Sequence, residues 1–183
     1  MITIAFVACA DRRAPQLAVS SCGSSIEVRG AEYHGVIFPP DCRAEIYHVG
    51  RDRIAGYWLP SPNEISILEA GLRPALEQSQ VSPVSIDPLS NSPERAAYVS
   101  REIGGTLDRL GRYRRQYAGI TLGDGRHRIL VNFFPSATPG EPDSYGYWTR
   151  RWVSVDDGGN WYWRIQYELG SARFVEFDVN GYA

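Results

Sequence analysis

The stretch WYWRIQYELGSARFVEFDV, residues 161–179, decides the fold. Trp161, Trp163, Ile165 and Tyr167 alternate with Tyr162, Arg164 and Gln166, the period of two at which successive side chains of a β-strand point to opposite faces. Residues 169–171, centred on Gly170, punctuate the run as a turn. Beyond it Val175, Phe177 and Val179 alternate with Phe174, Glu176 and Asp178. The reading is two antiparallel strands with an apolar row on one face. Arg164 beside Glu176 or Asp178 on the other face is an ordinary cross-strand charge pair for a solvated surface.

Working outward, residues 147–155 carry a third β-like alternation, separated from residue 161 by the turn of Asp156, Asp157, Gly158 and Gly159. Residues 117–122 and 128–134, joined through Gly123, Asp124 and Gly125, form a further hairpin. The C-terminal part is thus an antiparallel meander of about five strands. One apolar face needs a cover, and two amphipathic helices stand just upstream. Ser61, Pro62 and Glu64 supply an N-cap, a first-turn proline and a capping-box partner, with Ile65, Leu68, Leu72 and Leu76 on one face and Pro74 expected to kink or end the helix. Ser92, Pro93 and Glu94 start the second, whose face is Val99, Ile103, Leu107 and Leu110. Gly104 and Gly105 weaken its middle, and Arg109, Arg112, Arg114 and Arg115 crowd its end as a solvated terminus.

Short β-prone runs at 26–29, 33–38, 45–49 and 54–59 suggest two small N-terminal hairpins. The expected fold is α+β: a C-terminal antiparallel meander covered on one face by two helices, with short N-terminal strands. Residues 1–25 read as a flexible lead-in or signal remnant and 26–183 as one domain. This layout is similar to helix-wrapped curved sheets of the cystatin-like and NTF2-like kind, a likeness of arrangement that implies no activity.

Composition bounds function chiefly by exclusion. The 183 residues are 43% hydrophobic with a formal charge of -2, so the chain carries no overall basic field to attract nucleic acid. All 19 Lys+Arg residues are arginine. A Walker-type phosphate loop, a Schiff-base lysine and a Ser/Lys dyad each need an amine this chain lacks. Arg114, Arg115, Arg126, His127 and Arg128 make at most a local basic patch. The histidines fall at 34, 48 and 127, with no metal-ligand spacing, and no cofactor motif is present. Glu176 and Asp178 on one strand face are spaced for paired-carboxylate chemistry, though a wet sheet face explains them more cheaply.

The cysteines are Cys9, Cys22 and Cys42, none in a Cys-x-x-Cys pair, and Cys22 with Cys42 is the disulfide candidate. Residues 2–10 are apolar and end in Phe6-Val7-Ala8 before Cys9, as in a lipoprotein cleavage box, although no basic residue precedes them. The balance favours a periplasmic or membrane-tethered protein, with a lipid anchor at Cys9, over a cytoplasmic one. No run approaches the ~20 apolar residues of a membrane span.

The most suggestive functional stretch is Tyr145, Tyr147, Trp148, Arg150, Arg151 and Trp152, following a loop rich in proline and glycine. Tyr, Trp and Arg dominate binding hot spots. The preferred reading is a non-enzymatic protein-binding module, an exported bacterial inhibitor or immunity-type protein. The alternative is a ligand-binding or hydrolytic domain whose pocket, between curved sheet and helices, is lined by Trp161, Trp163, Tyr167 and His127.

Overall fold

The computed structural model describes residues 23–42, 46, 53–78, 81–83, 93–140 and 142–181. Strands β1 (Ile26–Arg29), β2 (His34–Phe38) and β3 (Ile54–Trp58) precede helix α1 (Pro62–Glu77). Strand β4 (Val81–Pro83) and helix α2 (Pro93–Leu107) follow. Then come β5 (Tyr113–Leu122), β6 (His127–Pro135), β7 (Trp163–Glu168) and β8 (Arg173–Val179). All join one sheet in the order β1-β2-β5-β6-β7-β8-β4, with β3 also paired to β5. The architecture is α+β, with short N-terminal strands and a C-terminal antiparallel meander.

The long strand β5 organises the N-terminal part. Its first half pairs in parallel with β2, from His34 opposite Arg114 to Phe38 opposite Ala118. Its second half pairs antiparallel with β3, from Trp58 opposite Gly119 to Ile54 opposite Leu122. β1 and β2 form the expected hairpin, whereas β3 leans on β5. The remaining run at 45–49 lies outside the described residues except Ile46, which is buried.

Helix α1 starts as its cap residues dictate. The Glu64 N–H donates to Ser61 Oγ at 3.3 Å, and the Ser61 N–H donates to Glu64 Oε2 at 2.7 Å. Ile65, Leu68, Leu72 and Leu76 are all buried on the sheet. Pro74 does not end the helix, which runs on to Glu77: the missing N–H falls in the last turns, and the Gln78 N–H still closes onto the Pro74 carbonyl at 3.0 Å. α2 is one continuous helix, with Gly104 and Gly105 in its last turn.

Three expectations need correction. Residues 147–155 are not a strand but turns followed by irregular chain, because β7 already occupies the edge of β6 on which such a strand would pair. β7 begins at Trp163, and Trp161 sits in a 3-10 turn instead. The alternation in β8 breaks at Glu176, whose φ of +56° marks a bulge opposite Ile165, so Phe174 and Phe177 both reach the helix side.

The larger correction concerns the second face of the sheet, expected to be wet. It is covered. Val36, Phe38, Ala118, Ile120, Leu130 and Phe134 point away from the helices and meet Trp148, Trp152 and Val153 in a second apolar core, with Cys42 and Ile46. The helices cover one face and the segment 144–162 covers the other. At the far end Arg53 reaches Glu176 on β8 at 3.3 Å although β5, β6 and β7 lie between their strands, so the sheet curls toward the loop side there.

Candidate functional site

Of the four arginines expected at a helix terminus, Arg109 and Arg112 lie in the turn after α2, whereas Arg114 and Arg115 open strand β5. Arg115 is fully buried on the helix side, its Nε 3.0 Å from Glu69 of α1 in an ion pair whose angle is too poor for a hydrogen bond. Its other nitrogens donate to the carbonyls of Tyr113 and Leu110. The Tyr117 hydroxyl donates to the same Glu69 at 2.7 Å. A Cβ at Gly35 would stand 2.5 Å from the Tyr117 ring, so only glycine on β2 lets that ring lie where its hydroxyl reaches α1. Burial raises the Glu69 carboxyl, with Arg115 and the Tyr117 hydroxyl opposing. Burial and then the Glu69 charge push the Tyr117 phenol well above its usual range. The cluster is a buried tie between α1 and β5, with Arg115 Nε held by charge alone.

Arg114 points to the other face and helps build a rim where the β1–β2 hairpin, the start of β5 and the turn 143–151 meet. Its NH1 donates to both Asp143 oxygens at 2.9 and 2.7 Å, and its guanidinium lies 5.1 Å from the Trp148 ring. His34 on β2 meets the same indole edge-on at 4.9 Å. Glu27 on β1 accepts from Arg29 and is bonded to His34 Nε2. Those two hydrogen bonds, His34 first, hold the Glu27 carboxyl below its ordinary value. Burial raises Asp143, but Arg114 and the Tyr145 N–H outweigh it and leave that carboxyl lowered. Beside Arg114 and His34 opens a groove of about 460 Å³ lined also by Arg29, Tyr33, Tyr113 and Ser136.

The turn itself is tied down. Gln116 donates to the carbonyls of Trp148 and Arg151 at 2.7 and 2.8 Å and accepts from the Val153 N–H at 2.9 Å. Asn132 donates to Gln116 Oε1 and to the Val153 carbonyl. Ser25, just before β1, donates to the Thr149 carbonyl at 2.5 Å. Of the aromatic and arginine stretch, Trp148 and Trp152 are buried in the loop-side core and Tyr145 is half-buried, its hydroxyl sharing a 2.6 Å bond with Tyr162. Burial, then that bond, raises the Tyr145 phenol. Tyr147, Arg150 and Arg151 face solvent, with Arg151 5.9 Å from the Tyr147 ring.

Trp161, Trp163, Tyr167 and His127 do not line one pocket. Trp163 has no exposure and stacks on Phe133 with centroids 3.6 Å apart. Trp161 turns outward beneath the Arg109 guanidinium. Tyr167 borders a separate open groove of about 560 Å³ with Gly71, Ala75 and Phe174, beside the last turns of α1. His127 is exposed against Trp58, ring centroids 5.5 Å apart. Neither His34 nor His127 bonds a hydroxyl or thiol among the described residues, and within them no group of three or more His, Cys, Asp or Glu is placed to hold a metal.

Glu176 and Asp178 do not act as a carboxylate pair. Asp178 accepts from Arg164 at 2.8 Å, whereas Glu176 joins Arg53 and Arg128 in a network with Glu168, Gln166 and Arg126 that is buried at Arg128, Gln166 and Glu176 and open to solvent at Arg126. Hydrogen bonds from Ser171, then Arg128 and Arg126, hold the Glu168 carboxyl low. With Asp124 bound to Arg126, three cations face three carboxylates, a balance that suits a seam between curled strand ends. The presumed basic patch is therefore paired: Arg114, Arg115, Arg126 and Arg128 each have a carboxylate partner.

Cys42 is disulfide-bonded, while Cys22 and Cys9 lie outside the described residues. No helix among the described residues is long and apolar enough to cross a membrane. The rim at β1, β2 and β5 was missed in the sequence, since neither the parallel β2–β5 pairing nor the strand character of Arg114 leaves a local signal. No protein-family model matches this chain, and no curated protein or solved structure shows significant similarity to it.

Proposed function

We propose that this chain is a non-enzymatic protein-binding module that meets its partner at the rim formed by the turn 143–151, the groove beside Arg114 and Tyr33, and the His34 end of β2. The observation that carries the reading is the pairing of exposed hot-spot side chains with a pinned backbone. Tyr147, Arg150 and Arg151 stand in solvent on a turn whose carbonyls are bound by buried Gln116. Such a turn loses little conformational freedom on binding, which favours affinity for a given contact area. The finer reading is an exported bacterial inhibitor or immunity-type protein. The disulfide at Cys42 supports an oxidising compartment for it.

The test is capture from bacterial lysate on the immobilised full chain, with the retained partner then purified and titrated. Tyr147→Ala and Arg151→Ala are expected to weaken its binding at least about tenfold each, with circular dichroism unchanged. Arg173→Ala, at the β7–β8 turn on the far side of the sheet, is expected to bind as the wild type does. A partner that binds both rim variants as tightly as the wild type, or the lack of any stoichiometric partner, would count against the proposal.

A further inference from the structure

Among the described residues β1 is the terminal strand of the sheet, and its outward edge has a defined hydrogen-bonding parity. The Gly30 N–H donates to the Tyr33 carbonyl at 2.9 Å, so Gly30 and Tyr33 are a hydrogen-bonded pair. In an antiparallel ladder bonded and unbonded pairs alternate. Arg29 opposite His34, and Glu27 opposite Val36, are therefore the unbonded pairs, and the N–H and C=O of Glu27 and Arg29 point away from β2. The side chains divide equally cleanly. Glu27 and Arg29 lie on the loop side, substantially exposed, while Ile26 and Val28 lie on the helix side, where Ile26 is 37% exposed.

We infer that β1 pairs antiparallel with β1 of a second copy of this chain, about a two-fold axis at Val28. That axis sets Glu27 opposite Arg29 of the other copy, and Arg29 opposite its Glu27. These are the two positions whose backbone groups face outward, so the donors and acceptors of the two edges match in the same register. On the loop side the seam carries a ladder of opposite charges, a stabilising cross-strand arrangement. On the helix side it places exposed Ile26 diagonally against Val28 of the other copy and beside the Tyr33 ring that lies over Gly30. An isologous contact must be complementary to itself, and Glu-Val-Arg centred on valine is.

Charges on an edge strand usually discourage stray pairing. Here they reject a neutral or like-charged strand yet fit the strand's own reverse. Within one chain Glu27 is already bound to Arg29 and His34, so the second copy adds a further cation to each carboxylate and closes the open backbone groups. β1 is only four residues long, so the dimer is expected to be weak and concentration-dependent. It would set two binding rims side by side, and it stands whether or not the proposed partner is found.

Sedimentation equilibrium of the full chain across micromolar to millimolar concentrations is the test, with folding checked by circular dichroism. The wild type is expected to show a monomer–dimer equilibrium that weakens with salt. Glu27→Arg and Arg29→Glu each set like charges opposite one another and are expected to weaken dimerisation about tenfold or more. An equimolar mixture of these two variants, in which every cross-strand pair is again opposite in charge, is expected to regain association, as is the double variant. A wild type that stays monomeric throughout, a dimer indifferent to either single reversal, or folded variants whose mixture fails to associate would overturn the inference.

Discussion

The two faces of the sheet are both buried, but by different physics. On the helix side Phe133, Trp163, Phe177 and the leucines of α1 interlock, and the helices satisfy their own backbone groups internally. On the loop side the cover has no ladder of its own. Its turns satisfy some backbone groups, but the carbonyls of Trp148, Arg151 and Val153 and the Val153 N–H are bound by Gln116 and Asn132, and the Val155 and Asp157 carbonyls accept from Asn180. A regular cover spreads its stability over many dispersive contacts, whereas an irregular one concentrates it in a few polar atoms. The exposed rim belongs to the second kind, so its shape rests on side chains buried beneath it.

That contrast can be broken first where it is strongest. Trp163→Ala removes a stacked ring from the centre of the helix-side core and is expected to lower unfolding free energy by about 3–5 kcal/mol, read as a fall in the urea midpoint. Gln116→Leu should cost less, on the order of 3 kcal/mol, because buried backbone groups at Trp148, Arg151 and Val153 lose their partner. Its signature differs in kind: near-ultraviolet dichroism from Trp148 and Trp152 should change while the far-ultraviolet helix signal stays. A global loss of helix in that variant would show that the two covers are not separable.

The smallest effect sharpens the comparison through pH. Burial raises the Glu69 carboxyl above its ordinary 4.5. A group raised on folding contributes stability that is complete below the unfolded value and declines as pH climbs through the folded one. The wild type should therefore lose stability just above pH 4.5 relative to its acidic side, after the opposing rise from lowered carboxylates such as Glu168 is subtracted. Glu69→Gln should lack that decline in parallel urea titrations from pH 4 to 7, and identical pH profiles for the two proteins would contradict the assignment.

Legibility followed the same division. Helix α1 could be read to its capping box because Ser61 and Glu64 satisfy each other within four residues. Trp163, Ile165 and Tyr167 could be assigned to the helix side because period-two alternation is local. The β8 bulge could not, since a single residue at positive φ shifts Phe174 without any glycine to announce it. Nor could the loop-side core. Tyr147, Trp148 and Trp152 resemble a strand or an exposed aromatic edge, and only the long-range bonds from Gln116 and Asn132 decide that the tryptophans go inward and Tyr147 outward. Arg115 resembles a solvated cation in the sequence because its partner, Glu69, lies far away in the chain, on helix α1.

Hydrogen exchange at the Val153 amide tests most directly whether the rim is held by the sheet beneath it. In the wild type this N–H, bonded to Gln116 Oε1 at 2.9 Å, should exchange slowly although it belongs to no strand or helix, and in Gln116→Leu it should exchange fast while Ile129 and Val131 of β6 stay protected. A Val153 amide that exchanges in the wild type as freely as that of exposed Gly140 would contradict the pinned loop and the binding surface proposed on it.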